Sequence, residues 1–232
     1  MKWLASPLSS SLSARLEKFL AQPGLLRLVG TQSTSSFALL FSQQEGLSIN
    51  KLPHLVIVPD GNTAKDLQSA LRFFSPTRNV CLLPSFDVGL YSNLYPNHRL
   101  IAQRVAWLQS ARDARPDDLF IATVEGLAQK TLPYQTFCAL TFTLTTGQAV
   151  PDNLISLLNR LGYQTAPTVE DVGSYCSRGG ILDIYSPAHG QPLRIELFGD
   201  TVESIRTFDL GTQLSSQAVK TAHIIPKRSF VF

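Results

Sequence analysis

Little in this sequence could hold a metal or a disulfide framework. Its three cysteines, Cys81, Cys138 and Cys176, are odd in number, far apart and without a CxxC pair. The four histidines, His54, His98, His189 and His223, are equally scattered and read as surface or capping residues. Cys81, inside Val80-Cys81-Leu82-Leu83, reads as a small buried apolar side chain. Neither a metal site nor a catalytic residue is expected. Charge is sparse too. The formal net charge of +3 comes without the concentrated basic stripe of a dedicated nucleic-acid binder. No run approaches the ~20 apolar residues that span a bilayer, so no membrane partner is expected. Pro7 and Ser9-Ser10-Ser11 interrupt any signal-peptide core, and the cytoplasm is the expected location.

What is present is enough apolar residue for a real core: 44% of 232 residues, which suits one large domain or two modest ones. Leu8, Leu12, Leu16 and Leu20 mark one face of a helix that Pro23-Gly24 ends. Leu25 to Val29 reads as a strand, and a helix follows a Ser/Thr-rich loop around Phe37 to Leu40. His54 to Val58 reads as a buried strand. Asn62 or Thr63 should cap the next helix, with Ala64, Leu67, Leu71 and Phe74 inward. Val80 to Leu83, a helix from Asn97 with Ile101, Val105 and Leu108 inward, and the strand Leu119 to Thr123 continue the alternation. Continuous apolar strands separated by amphipathic helices predict an α/β domain over 1–137, its mainly parallel sheet covered on both faces.

Near Cys138 the rhythm changes. Leu140, Phe142 and Leu144 alternate with threonines, as in a half-exposed strand. Pro151-Asp152 opens a helix with Leu154, Leu157, Leu158 and Leu161 inward, and Gly162 stops it. Strand patterns follow at 181–184, 193–198, 202–208 and 222–225, with Gly199-Asp200 as a two-residue turn. Residues 138–232 are therefore expected to form a small α+β domain with a mostly antiparallel sheet.

Ligands of open α/β sheets favour the loops after the strands. The first such loop, Gly30-Thr31-Gln32-Ser33-Thr34-Ser35-Ser36, has the place of a phosphate loop but lacks most of its glycines, and Ser35 stands where the lysine would be. After the strand 119–123, Val124-Glu125 offers one carboxylate, which reads as a first-turn helix acid. A degenerate nucleotide loop without ATP turnover is the expectation, and the chain is not expected to be an enzyme or to hold a cofactor.

The runs Cys176-Ser177-Arg178-Gly179-Gly180-Ile181-Leu182-Asp183-Ile184-Tyr185, Pro192 to Asp200 and Glu203 to Asp209 are similar to the UvrA-binding domain shared by UvrB and the transcription-repair coupling factors. Leu83-Pro84-Ser85 and Tyr95-Pro96 extend the resemblance loosely into the first half. Tyr91 and Tyr95 lead almost at once into the helix near Asn97, leaving no room for the tyrosine-rich hairpin of UvrB. With the ruined loop, this favours the coupling factors. The resemblance implies a degenerate RecA-like domain followed by a UvrA-binding domain, with UvrA contacts at Arg178, Arg194 and Phe198. It further implies that the chain is a fragment: modules elsewhere in the family bind RNA polymerase and double-stranded DNA and use ATP and magnesium for translocation.

Alternation along 194–198 itself puts Arg194, Glu196 and Phe198 on one face and Ile195 and Leu197 on the other. Phe198 either stands exposed for a partner or caps the hairpin against its own domain. Strict alternation from Leu182 buries Arg178, unless a bulge at Gly179-Gly180 shifts the phase. Arg206, on the neighbouring strand, is either a further contact or a solvated charge. Two other readings carry different signatures: an NTPase with an atypical loop at Ser33 to Ser36, and a nucleic-acid-binding module using Lys220, Lys227 and Arg228.

Overall fold

The computed structural model describes Ala14 and residues 33–42, 52–89 and 94–228. The helix expected before Pro23, the strand 25–29, Gly30, Thr31, Gln32 and Tyr91 lie outside the described residues. The chain is mixed α/β and divides into two compact units, residues 1–85 with 111–128, and residues 86–110 with 129–232.

The first unit contains β1 (His54–Val58), β2 (Val80–Leu83) and β3 (Leu119–Thr123), parallel and ordered β1-β3-β2. All five residues of β3 are buried, as its unbroken apolar run predicts for a central strand. Helices α1 (Thr34–Ser42) and α2 (Gly61–Phe74) pack Ala38, Ala64, Leu67 and Leu71 against Val58, Val80, Leu119 and Ile121. The cap of α2 is Asp60, not Asn62 or Thr63: its carboxylate accepts from the Thr63 amide and hydroxyl, both at 2.9 Å. β1 is not buried throughout. It pairs on one side only among the described residues, and Leu55 and Ile57, turned away from α2, are more than half exposed.

In the second unit the helix α3 (His98–Arg112) sends Ile101 and Val105 into a cluster with Leu132, Phe137 and Ile225. That packing groups residues 98–110 with the second unit. Arg104, on the same helix, is fully buried. Its guanidinium donates to the Gln129 side chain and carbonyl at 3.3 Å and lies over Phe86. After the short α4 (Val124–Ala128, first unit) and α5 (Tyr134–Ala139), β4 (Phe142–Thr145) pairs antiparallel with β11 (Thr221–Ile224).

The larger sheet has six strands: β5 (Gln164–Thr165), β6 (Ser174–Arg178), β7 (Ile181–Ile184), β8 (Leu193–Phe198), β9 (Thr201–Phe208) and β10 (Ser215–Ala218). Their order is β10-β9-β8-β7-β6-β5, antiparallel except for the parallel pair β5/β6. One face carries Tyr175, Leu182, Ile184, Leu193, Ile195 and Ile205. It packs on α6 (Leu154–Arg160) and on Leu144, Ala222 and Ile224 of the small pair. The other face is mostly polar, with a buried patch of Val169, Cys176 and Phe208 and with Ile181 and Phe198 exposed. β10 reads Ser-Ser-Gln-Ala and is exposed at every residue, so no hydrophobic alternation announces it.

Candidate functional site

The register places the outer face directly. Cys176, Asp183, Arg194 and Arg206 lie in one cross-strand row, and Arg178, Ile181, Glu196 and Ser204 in the next. Arg194, Glu196 and Phe198 share this face, as alternation predicts, with Ile195 in the core. Gly179-Gly180 is a two-residue turn, not a bulge: Arg178 pairs with Ile181, and Gly179 has φ +58°. The turn puts Arg178 opposite the buried face, where its guanidinium donates to the Pro167 carbonyl. The bulge lies elsewhere, opposite Glu196/Leu197, where Glu203 is the extra residue of β9.

At the end of the sheet the two hairpin tips meet. The Gly180 carbonyl accepts from the Leu197 amide at 2.6 Å, which brings the β6–β7 turn beside Phe198 and the β8–β9 turn. A Cβ on Gly180 would stand 2.7 Å from the Leu197 carbonyl oxygen, so only glycine admits this approach. Phe198 is 80% exposed and does not cap its own domain; Ile181, diagonal to it, is 40% exposed. Glu196 accepts from the Ser204 hydroxyl at 2.6 Å, and Arg206 is exposed.

Arg194 is held by its own domain. Its Nε and Nη2 donate to the two carboxylate oxygens of Asp183 at 2.7 and 2.8 Å. Nη1 donates to the Gln213 carbonyl at 3.2 Å and the Ser215 hydroxyl at 3.4 Å. The guanidinium also lies 5.0 Å from the centre of the Phe208 ring. The hydrogen bonds to Asp183, more than its charge, hold the guanidinium protonated above its ordinary pKa. Asp183 was missed in the sequence, although it alternates with Leu182 and Ile184 and so had to share the face of Arg194.

At the loop of the first unit, Ser33 caps α1. Its hydroxyl accepts from the Ser36 amide at 3.2 Å and lies 3.0 Å from the Ser36 hydroxyl. Thr34 and Ser35 occupy the first turn, with Ser35 exposed. At the end of β3 the buried Thr123 hydroxyl accepts from the Gly126 amide at 2.9 Å and bonds Ser85 at 2.7 Å, while Glu125 points to solvent. Among the described residues there is no group of three or more His, Cys, Asp or Glu placed to hold a metal, and no helix long and apolar enough to cross a membrane.

The second unit also has a cleft of about 340 Å³ lined by Arg99, Gln103, Asp171, Tyr185 and His189 among others, with Arg99 and Asp171 paired at 3.4 Å. His189 stacks on His223 at 5.8 Å, and its Nε2 accepts from the His223 amide at 2.9 Å. That bond requires an unprotonated Nε2. Burial first, then the neighbouring His223, lowers the His189 pKa. Between the folded pKa and the unfolded value of 6.5 the unfolded chain holds the extra proton. The stability is therefore complete above the unfolded value and is lost as pH falls through the folded one. Melting temperature should fall as pH drops below the unfolded value of 6.5, and less steeply in His189→Gln, whose amide oxygen accepts without titrating. Equal slopes would exclude His189 as the source. Of the residues proposed for nucleic-acid contact, Lys227 is only 7% exposed, while Lys220 and Arg228 are exposed.

Residues 142–230, which include the whole six-stranded sheet, match the model of the UvrB interaction domain family. Over 185 residues, 77% of its length, the chain is 33% identical to a transcription-repair-coupling factor of Myxococcus xanthus. It is 27% identical over 210 residues, 90% of its length, to that of Haemophilus influenzae, and 35% identical over 134 residues to that of Staphylococcus haemolyticus, covering 57%. It spans 15%, 18% and 11% of those relatives respectively.

Proposed function

The chain belongs to the transcription-repair-coupling factor family, in the part of it that carries the UvrB interaction domain, and we propose that its task there is to recruit UvrA. The recruiting surface is the outer face of the six-stranded sheet at the paired hairpin tips. The observation that carries this reading is Phe198, a large apolar side chain 80% exposed next to Glu196 and Ile181, with Arg178 in the same cross-strand row as those two. Such an aromatic with charged neighbours is the composition of an interface centre. Arg178 supplies a guanidinium to acceptors of UvrA, and Arg206 widens the face. In the complete protein this recruitment is coupled to RNA polymerase stalled at DNA lesions, which other modules displace by ATP-driven translocation on double-stranded DNA. The test is a titration of the chain with UvrA at physiological salt. Saturable binding is expected, and its absence would sink the reading.

The first unit takes a degenerate RecA-like role, as scaffold without catalysis. Ser33 already occupies the Ser36 amide that a phosphate would use, and Thr123 at the end of β3 is tied to Ser85 and Gly126. Calorimetry with ATP and magnesium should show no micromolar binding, and the chain should release no phosphate. Turnover lost on mutating Ser35 or Ser36 would contradict this.

A further inference from the structure

Within that recruitment reading, on which this step rests, we infer that Asp183 is a positioning residue for UvrA binding, acting through Arg194. The Asp183 carboxylate spends both oxygens on Arg194. Arg194 in turn has donors on Asp183, Gln213 and Ser215, which leaves one Nη2 N–H for anything outside the chain. The guanidinium is a clasp rather than a free fork, and its orientation is set by Asp183 and by the Phe208 ring beneath it.

The clasp grips a loop that carries backbone strain. Gln213 has φ +60°, a left-handed conformation that costs a non-glycine residue free energy. Its backbone carbonyl is the one that Arg194 Nη1 grips, and its side chain donates to the Leu210 carbonyl at 2.7 Å. Asp209 folds the same loop, accepting from the Gly211 and Thr212 amides at 3.1 and 2.8 Å. Asp183 thus fixes Arg194, and Arg194 fixes the loop 209–215 at the flank of the face that carries Glu196 and Phe198. Without the carboxylate, Arg194 swings among rotamers and its remaining N–H is no longer aimed. UvrA binding then has to order both the side chain and the loop.

Asp183→Asn keeps the shape and removes the charge. It should weaken UvrA binding about tenfold, while Asp183→Glu, which retains a carboxylate, recovers part of the loss. The effect must run through Arg194, so Asp183→Asn should add nothing in an Arg194→Ala background, where each variant is folded by circular dichroism at the binding temperature. In the single variant, the Arg194 Nε–H resonance should lose its protection from exchange. A D183N chain that binds UvrA like the wild type, or that weakens binding as much in the Arg194→Ala background as alone, overturns the inference. A wild-type chain that does not bind UvrA overturns the recruitment reading and this inference together.

Discussion

Gly173→Ala should destabilise the second unit by about 3 kcal/mol, a large share of the 5–15 kcal/mol that typically holds a domain. Two costs combine. Gly173 has φ +81°, where an alanine costs roughly 1–2 kcal/mol. Its missing Cβ is also the space taken by the Lys227 stem, whose Cγ, Cδ and Cε would all collide with a methyl group. Moving the Lys227 stem aside would give up its burial, at 7% exposure, and the reach of its ammonium to Gln164 at 3.5 Å. Gly173 itself ties the sheet edge, donating to the Tyr185 carbonyl at 2.7 Å and accepting from the Gln164 amide at 3.0 Å. Overpacking of this kind adds about 1–3 kcal/mol.

Gly147→Ala is the control, because Gly147 has φ +83° with no atom within 4 Å of the added Cβ, so only the conformational part should appear. Truncating Lys227 to alanine should remove the steric part from Gly173→Ala, so the double variant melts above the additive expectation. Chemical denaturation of the four variants checks this. A Gly173→Ala chain no less stable than Gly147→Ala would mean that the Lys227 stem relaxes freely.

How much of this was legible in the sequence differs with the kind of contact. The buried run Leu119 to Thr123 and the inward face Ala64, Leu67 and Leu71 were readable, because burial leaves an apolar period in the chain. The face shared by Arg194, Glu196 and Phe198 was readable for the same reason, since alternation is local. β10 was not, because Ser215 to Ala218 pair with β9 through backbone and hydroxyl groups and bury nothing. The partner of Arg194 was not read either. Which acid sits across a sheet depends on register, and Asp183 faces Arg194 across β7 and β8, strands joined by the long connection 185–192 and not by a two-residue turn that would announce their register. The positions of Gly173 and Lys227 were illegible for a deeper reason: they are 54 residues apart (227 − 173) and meet only through the packing of the whole unit.

Phe198→Ala should weaken UvrA binding by roughly thirtyfold, about 2 kcal/mol, while leaving the melting temperature within a degree or so of the wild type. At 80% exposure the ring buries little in its own domain, so its removal costs little in folding. Arg194→Ala should behave differently from what a surface arginine would do. It strands the Asp183 carboxylate, 15% exposed, and releases the loop at Gln213, at a folding cost of about 2 kcal/mol as well as lost binding. Arg194→Lys should recover little of either, because an ammonium cannot span both Asp183 oxygens and the Gln213 carbonyl together. The three variants therefore separate a contact from a brace. Titration with UvrA beside a melting curve for each decides it. If Phe198→Ala binds like the wild type, the recruiting face lies elsewhere on the sheet. If Arg194→Ala keeps its melting temperature but loses UvrA, Arg194 is a direct contact and the clasp to Asp183 does not govern the loop.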